Sequence, residues 1–207
     1  MENIPLQLLR FVRLSERLKL ELRHSWLSNG RHESVAEHTW HMALLTLLIH
    51  RHLEHPVNLE RTLKMVLVHD LVEAEAGDVP FFETGARQDS KHEREVAAIE
   101  KIRHLLGPVT GEEIWGLWYE FEENRTLEAK VVKALDNLEV QMQHNLADLG
   151  TWEETEYDLV YTKMDRHCAH DSFLRSLCEA TKLEAERKME EGDVDLVSVR
   201  KRARRFS

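Results

Sequence analysis

Apolar residues recur along most of the chain at intervals of three and four positions, the spacing that places them on one face of an α-helix. No run alternates apolar and polar residues for long enough to predict a β-sheet. Ser34 followed three residues later by Glu37 is a capping-box pattern, which predicts that a helix begins there. The periodic segments predict helices over residues 5–24, 34–54, 58–76, 89–106, 111–122, 125–149 and 155–190. The sequence therefore predicts an all-α fold, an array of antiparallel helices joined by short turns.

Glycine and proline residues lie between the predicted helices, and their positions indicate no boundary between two large domains. Breaks are predicted at residues 77–85 and at Gly107–Pro108. With 207 residues, 42% of them hydrophobic, and only 8 glycines and 4 prolines, the chain fits one compact domain. We predict that this domain spans residues 1–190. Residues 191–207 are expected to follow it as a solvated, frayed basic tail.

Charge and cysteine content narrow the classes of function. A net charge of -10 disfavours broad binding to nucleic acid, because a polyanion would be repelled by most of the surface. The apolar segments fall far short of the ~20 residues that span a membrane, and the N-terminus lacks the basic-then-apolar order of a secretory signal. Cys168 and Cys178 form no CxxC pair, as is typical of a reduced protein. The sequence therefore predicts a cytoplasmic protein that binds neither nucleic acid nor membranes.

Two adjacent polar residues, His69 and Asp70, directly follow the apolar run 65–68. Neighbouring residues on a helix point about 100° apart, so both side chains can lean toward one point. Glu73 lies four residues after His69 and three after Asp70, which brings it to the same side one turn later. A buried imidazole beside a carboxylate is costly unless it is hydrogen-bonded, neutralised or bound to a metal. The alternative is an ordinary histidine capped by a backbone carbonyl, with the aspartate at the helix edge.

Two further polar residues, His38 and Asp136, lie among apolar residues on their predicted helices. With His69 and Asp70 they would supply two imidazoles and two carboxylates from three helices. Such a mixed nitrogen and oxygen site suits Mn, Fe, Co or Zn and leaves coordination positions open for water and substrate. Long gaps in the chain separate these residues, so their spacing alone does not decide between a metal site and buried polar packing.

Three segments carry a resemblance to a known family: ESVAEHTW (33–40), HDLVEAEAGDVP (69–80) and KALDNLE (133–139). Together they resemble the HD-domain metal-dependent phosphohydrolases, and within them the branch that contains 5'-deoxynucleotidase. The resemblance covers roughly residues 18–147. It implies an HD-domain-like helical fold, one divalent metal cation per site, and release of phosphate from nucleoside 5'-monophosphates. It also implies a homodimer, for which the predicted helix over 155–190 offers a pairing surface.

The resemblance also implies roles for particular residues of the metal site. The family pattern places the metal on His38, His69, Asp70 and Asp136. Glu73 is implied as the catalytic acid or base, acting beside Asp70. The identity of the cation stays open among Mn, Co, Mg, Zn and Fe.

Three more residues are implied as contacts to a nucleotide substrate. Asp78 would contact the sugar. The segment RHSW (23–26) resembles the Arg-Trp segment of the family, which implies Arg23 as a phosphate ligand and Trp26 as a neighbour of the substrate. The loop 81–88 follows no family pattern, so the resemblance leaves the base and sugar preference open.

Two other functions stay open at this level. An HD-type phosphodiesterase or di-iron oxygenase would need extra ligands between the motifs, where His92 and His104 are the candidates. A non-catalytic, nucleotide-responsive regulator would keep the metal site without turnover, which the presence of Glu73 disfavours. A second doublet, His170–Asp171, lacks a following glutamate and Gly-Asp pair, and we interpret it as a packing or surface feature.

Overall fold

The computed structural model of the protein describes residues 3–204. Its α-helices are, in chain order, α1 (Ile4–Ser15), α2 (Val35–Ile49), α3 (Leu59–Val68), α4 (Glu73–Ala76), α5 (Ala86–Asp89), α6 (Lys91–Glu123), α7 (Leu127–Leu146), α8 (Glu154–Leu159), α9 (Met164–Cys168), α10 (Ser172–Glu191) and α11 (Leu196–Ala203). Short 3-10 turns span Glu16–Lys19 and Leu149–Thr151. Two strands, β1 (Leu22–Trp26) and β2 (His32–Ser34), pair antiparallel between α1 and α2. The prediction of a predominantly all-α fold is confirmed.

The prediction of one helix over residues 5–24 is wrong beyond α1. That helix ends at Ser15, and after a 3-10 turn the chain enters the hairpin of β1 and β2. The hairpin turn contains Gly30 with a φ of 83°, a conformation that glycine adopts without steric cost. The prediction that the chain contains no sheet is therefore also wrong here. The hairpin matters for the site because β1 carries Arg23 into the interior.

Helix α2 begins where the capping box predicts. The Glu37 N–H donates to the Ser34 hydroxyl at 3.3 Å, and the Ser34 N–H donates to the Glu37 carboxylate at 2.9 Å. The predicted helix over 58–76 is shorter than expected, because α3 ends at Val68 and a turn separates it from the single-turn helix α4. Gly77, with a φ of 75°, then ends α4. The histidine-aspartate doublet thus stands at the end of a helix that packs in the core.

Helix α6 is kinked at Gly107–Pro108, where the glycine has a non-helical φ of 74°. The break predicted between helices 89–106 and 111–122 is confirmed, because the non-helical Gly107 divides α6 into two helical segments. Gly111 is required beside the kink, since a Cβ at this position would lie 2.1 Å from the carbonyl oxygen of Arg103. The kink allows both halves of α6 to follow the surface of the core.

The predicted helix over 155–190 is instead three helices, α8, α9 and α10. Asp171 starts α10, because its carboxylate accepts hydrogen bonds from two backbone N–H groups in the first turn. The expected frayed tail is also structured, since α11 packs on α8 and buries Leu196 and Val199. Residues 205–207 lie outside the described part of the chain. The domain boundary at residue 190 stays a prediction.

Helix α7 contacts α2, α3, α6, α9 and α10 and forms the centre of the core. Its Leu135 and Leu138 are fully buried, together with Met42 of α2, Met65 of α3 and Trp118 of α6. Because α2, α3 and α7 share this core, polar residues at its edge come from all three helices. Within residues 3–204, no helix has the length and apolar character that crossing a membrane would require.

Candidate metal centre and substrate cavity

Helices α2 and α7 and the end of α3 bring three of the predicted metal ligands together, His38, His69 and Asp136, and Asp70 lies beside the two histidines. One ligand atom each from His38, His69 and Asp136 lies within 4.8 Å of the others. The His38 Nε2 atom is 3.5 Å from Asp136 Oδ1 and 3.8 Å from Asp70 Oδ2. The His69 Nε2 atom is 3.1 Å from Asp70 Oδ2. Atoms that share a cation at bonds of ~2.0–2.2 Å are themselves ~3–4 Å apart, so these separations suit one metal ion.

Hydrogen bonds orient both imidazoles toward the centre. The His69 Nδ1–H donates to the Val66 carbonyl at 2.7 Å, and the His38 Nδ1–H donates to the Glu139 carboxylate. Glu139 also accepts a hydrogen bond from His41 at 2.8 Å. In the described part of the chain, the buried Nε2 atoms of His38 and His69 have no hydrogen-bond partner. A metal-bound histidine usually has this arrangement, with its other nitrogen donating to a carbonyl or carboxylate. The donor set therefore fits a divalent cation.

Carboxylates dominate the electrostatics of the centre. Burial and the charge of Arg23 disfavour the imidazolium form of His38, yet Glu139 and Asp136 outweigh them and raise its pKa to about 10. Burial likewise opposes ionisation of Asp136, but His38 and His69 hold the pKa of this carboxyl well below its usual range. The surrounding groups thus favour positive charge at this point, either as a proton or as a metal cation.

Arg23 reaches the centre from strand β1. Its Nη1–H donates to Asp70 Oδ2 at 3.1 Å, and its Nε lies 3.6 Å from Glu33 Oε2. Burial opposes the charged form, but nearby carboxylates, Asp70 foremost, raise the pKa of the guanidinium further. Arg23 also lines the cavity described below. Its ion pair with Asp70 orients that carboxylate at the edge of the cavity.

Glu73, at the start of α4, is buried, and no group within residues 3–204 forms a hydrogen bond with its Oε2 atom. Burial raises the pKa of Glu73 well above its ordinary value, and the charges of Asp70 and Asp78 act in the same direction. Burial also raises the pKa of Asp78, with Arg23 opposing and Asp70 assisting the shift. Two carboxyl groups with raised pKa beside one with a lowered pKa, Asp70, are typical of an acid–base site.

A cavity of about 550 Å³ opens over this centre. Its volume lies within the range of roughly 300–1,000 Å³ that is typical of small-molecule sites. Phe81 and Phe82, from the loop between α4 and α5, form part of its wall, and the edge of the Phe82 ring packs on His24 with centroids 4.9 Å apart. The cavity extends to Glu156, whose Oε1 lies 3.4 Å from His24 Nε2 and 3.5 Å from His144 Nε2.

The structure does not bring Trp26 to the cavity. Its ring packs on His32 with centroids 3.8 Å apart, and the tryptophan is not part of the cavity lining. Its predicted contact with a substrate therefore has no support. The second doublet is structural, because the His170 Nδ1–H donates to the His167 carbonyl at 2.8 Å and Asp171 caps α10.

Sequence reasoning missed three residues that belong to this region. Glu139, which orients His38, follows Asp136 by three positions, and Lys133 precedes Asp136 by three, so helical spacing alone could have placed both beside it. Lys163 lies in the break between α8 and α9. The prediction of one continuous helix through this region hid the break, and no motif marks the lysine.

Comparison with known proteins places the chain in a family. A family model described as an HD domain matches residues 15–173. The 5'-deoxynucleotidase HDDC2 of Danio rerio is 38% identical over 138 residues, which are 66% of this chain and 67% of the relative. The 5'-deoxynucleotidase HDDC2 of Homo sapiens is 35% identical over 138 residues, 66% of each chain.

A solved structure is similar over almost the whole chain. The crystal structure of a predicted metal-dependent phosphohydrolase from Magnetospirillum magnetotacticum superimposes with a TM-score of 0.77 and 28% identity. The superposition covers 92% of this chain and 95% of that protein. Together with the matched segment 15–173, these similarities show that the chain belongs to the HD-domain family.

Proposed function

We propose that this protein is a divalent-metal-dependent phosphohydrolase that releases phosphate from nucleoside 5'-monophosphates, as a 5'-deoxynucleotidase. One observation carries the proposal. Within residues 3–204, the buried Nε2 atoms of His38 and His69 have no hydrogen-bond partner, and they face the carboxylates of Asp70 and Asp136 beside a cavity that also contains the buried acid Glu73. The names of the relatives, 5'-deoxynucleotidases, support the substrate class.

The four predicted ligands would hold one divalent cation. When bound, such a cation polarises phosphoryl oxygens and lowers the pKa of a coordinated water. The chain contributes the orientation of the ligands. Glu139 fixes the His38 tautomer that presents Nε2, and Arg23 holds Asp70 through a contact of 3.1 Å. Ligands that are already oriented do not have to be rearranged when substrate arrives.

Glu73 supplies the proton transfer in this proposal. Its raised pKa means that the carboxyl group keeps its proton to a higher pH than an ordinary glutamate does. As water adds to phosphorus and the bond to the 5'-oxygen breaks, Glu73 can deliver this proton to that oxygen, and the resulting carboxylate can take up the proton that the attacking water releases. Burial and the neighbouring Asp70 and Asp78 produce the raised pKa, so this chemistry depends on the local environment of Glu73.

The remaining cavity would hold the nucleoside. Asp78 lines it directly after α4, where its carboxyl group can accept a hydrogen bond from a sugar hydroxyl. Phe81 and Phe82 provide apolar ring surfaces that suit a nucleobase. A volume of about 550 Å³ leaves space for a nucleoside monophosphate and coordinated water.

A phosphate-release screen tests the proposal. Chelator-treated protein is reloaded with Mg, Mn, Co or Zn and assayed with ribo- and deoxyribonucleoside mono-, di- and triphosphates. We expect release from 5'-monophosphates, a preference for deoxyribonucleotides, and one metal per chain by elemental analysis. Absence of release from every nucleotide by the metal-loaded protein would contradict the proposal. Two metals per chain would instead favour the phosphodiesterase or di-iron alternative.

A matched pair of variants links the activity to the metal centre. Asp136→Asn removes one predicted ligand charge and should lower both bound metal and turnover. Asp193→Asn makes the same chemical change at an exposed residue with a φ of 58°, a conformation that asparagine also tolerates. This control should retain metal and activity. Equal turnover in the two variants would remove Asp136 from the site.

We also propose that the protein acts as a homodimer in the cytoplasm. Helices α1 and α2 expose large apolar side chains, among them Ile4, Val12, Trp40 and Leu48, and clusters of this kind are typical of interfaces. The free, buried cysteines support a reducing compartment. Light scattering should give twice the chain mass of 24.3 kDa, and Leu48→Glu should reduce the mass to that of a monomer. A monomeric wild-type protein would contradict the dimer.

A further inference from the structure

The cavity that would take the substrate is itself acidic. Among the described residues, its lining contains eight carboxylates and four lysine or arginine side chains. The carboxylates belong to Asp70, Glu73, Asp78, Asp89, Glu95, Glu122, Asp136 and Glu156. A phosphate-bearing molecule is repelled by such a lining unless cations near the metal centre are available to it. Each lysine or arginine is therefore available to a phosphate group only if no carboxylate already pairs with it.

Two of the four cations are already paired. Arg23 lies 3.1 Å from Asp70 Oδ2 and 3.6 Å from Glu33 Oε2. The Lys91 ammonium lies 3.4 Å from Glu95 Oε1. A phosphate group would have to compete with these carboxylates for the same N–H donors.

Lys133 and Lys163 differ from the other two. Within residues 3–204, neither ammonium group pairs with a carboxylate, although both side chains line the cavity. Lys133 Nζ lies 3.9 Å from the centroid of the Phe121 ring, and Lys163 Nζ lies 4.6 Å from that of Phe81. A cation–π contact holds an ammonium group in place but leaves N–H donors free for an anion. Burial lowers the pKa of Lys163 although Asp136 opposes the shift, as expected for an ammonium that lacks a full counter-charge.

Both lysines lie beside the predicted ligand Asp136. Lys133 precedes Asp136 by three residues on α7, so the two share one side of that helix. Lys163 interacts electrostatically with Asp136 and Lys133. Glu73, in contrast, interacts mainly with Asp70 and Asp78. The lysines therefore lie on the Asp136 side of the metal centre and the proposed acid on the Asp70 side, so a phosphate at the centre would contact them separately.

We infer that Lys133 and Lys163 form an anion subsite that binds the phosphoryl oxygens of the substrate and the inorganic phosphate product. The inference rests on the proposed function, because the phosphate group of a nucleotide is the anion that this centre would bind. Each ammonium group donates charge-assisted hydrogen bonds to a phosphoryl oxygen. The two lysines can offer their positive charge to the phosphate directly. Arg23 is less available, because Asp70 and Glu33 already pair with it.

Equilibrium binding of inorganic phosphate to the metal-loaded protein, measured by titration calorimetry, tests this subsite. Lys133→Met and Lys163→Met keep the length of the side chain and remove its charge. Each is expected to weaken phosphate binding roughly tenfold to a hundredfold, with metal content unchanged. The corresponding arginine variants should recover most of the affinity. Lys130→Met is the matched control, since Lys130 is exposed on the same helix, and it should bind phosphate like the wild type.

A double methionine variant that binds metal and retains phosphate affinity within about twofold of the wild type would overturn the subsite. If the methionine variants do not fold, lysine acetylation of the wild type, read by mass spectrometry, gives the same information. Phosphate should reduce the acetylation of Lys133 and Lys163 and leave the acetylation of Lys130 unchanged. Equal acetylation of Lys133 and Lys163 with and without phosphate would also overturn the inference.

Failure of the proposed function has a different signature from failure of the subsite. Lysine-dependent binding of inorganic phosphate without phosphate release from any nucleotide would support the subsite and reject the nucleotidase activity. Normal release with an unchanged KM in the double variant would support the activity and reject the subsite. A rise in KM and in the inhibition constant for phosphate, larger than the fall in kcat, is the result that we expect.

Discussion

Replacement of Glu73 by glutamine isolates the proposed acid from the rest of the centre. Glu73 is only 5% exposed, and among the described residues its Oε2 atom has no hydrogen-bond partner. Burial, together with Asp70 and Asp78, raises its pKa well above the ordinary value, so the carboxyl group keeps its proton to a higher pH than an ordinary glutamate does. Glutamine matches a protonated glutamate in size and charge. Glu73→Gln should therefore preserve the cavity and the metal ligands while removing the transferable proton.

The expected loss of activity follows from the role of Glu73 as an acid. General acid–base catalysis contributes roughly 10²–10⁴-fold to a rate, which corresponds to about 3–5 kcal/mol of activation free energy. We expect kcat for phosphate release to fall by this factor at saturating nucleotide and metal, with unchanged metal content by elemental analysis. In the wild type, kcat should also fall as pH rises through the raised pKa of Glu73, and the variant should lack this decline.

The same pKa shift predicts a change in stability. The pKa of Glu73 is higher in the folded protein than in the unfolded chain. Its contribution to stability is therefore complete below the ordinary glutamate pKa and is lost as pH rises through the raised value. Across this interval the wild type should lose more stability than Glu73→Gln, which thermal unfolding as a function of pH can measure.

Glu75→Gln is the matched control on the same short helix. The Glu75 carboxylate pairs with Arg17 at 2.8 Å and with Lys101 at 2.6 Å, outside the cavity lining. This variant should keep the wild-type kcat and the wild-type pH profile. If Glu73→Gln retained kcat within about threefold of the wild type and the same decline at high pH, Glu73 would not be the acid.

Three further predictions concern other parts of the molecule. Glu139→Gln should weaken divalent-metal binding roughly 10–100-fold, because the ionised acceptor that orients His38 is lost; wild-type affinity in a metal titration would contradict this role. NMR titration should place the pKa of His24 above its ordinary value, because the Glu156 carboxylate, 3.4 Å from His24 Nε2, outweighs burial, and Glu156→Gln should lower this pKa. The stability from this pair is complete below the ordinary histidine pKa and is lost as pH rises through the raised value. Leu135→Ala should lower the free energy of unfolding by about 2–5 kcal/mol in denaturant titrations, because Leu135 is fully buried, and a loss below about 1 kcal/mol would argue against its place in the core.

The proposed metal ligands could be predicted from the sequence because two signals coincide at each of them. His38 and Asp136 interrupt apolar helix faces whose other members are buried in the core. His69 and Asp70 follow an apolar run and belong to a motif. A helix places its residues at fixed angles, so a polar residue on an apolar face must lie at the edge of the core. The packing of α2, α3 and α7 against one another then brings these polar residues together.

The hairpin was missed for a physical reason. Strand β1 spans Leu22–Trp26, and alternation over five residues is easily confused with helical spacing. The inward positions of the strand are occupied by Arg23 and Ser25, which line the polar cavity, whereas Leu22 is 56% exposed. A search for alternating apolar residues expects the opposite arrangement. Strand β1 does alternate between inward and outward positions, but its inward side chains are polar because they line the cavity.

Lys133 and Lys163 show a related limit. Charged residues on a helix usually face solvent, and sequence gives no sign that a lysine lies in an acidic cavity without a carboxylate partner. That environment arises from α7, from the break between α8 and α9, and from the loop that carries Phe81. Each of these elements comes from a different part of the chain. The pairing state of a cation is therefore a property of tertiary structure.

Helix α7 carries both the core and the site, on different sides. Leu135 and Leu138 pack in the core, where burial of apolar surface stabilises the fold. Asp136 follows Leu135 and Glu139 follows Leu138, and neither gains anything from burial by itself, since desolvation opposes the ionisation of both carboxyl groups. Their ionised state depends on the imidazoles that face them and, for Asp136, on the cation that it would bind. The apolar positions of α7 thus explain why the helix is stable in the centre of the protein, and its buried carboxylates are explained only by the chemistry of the site.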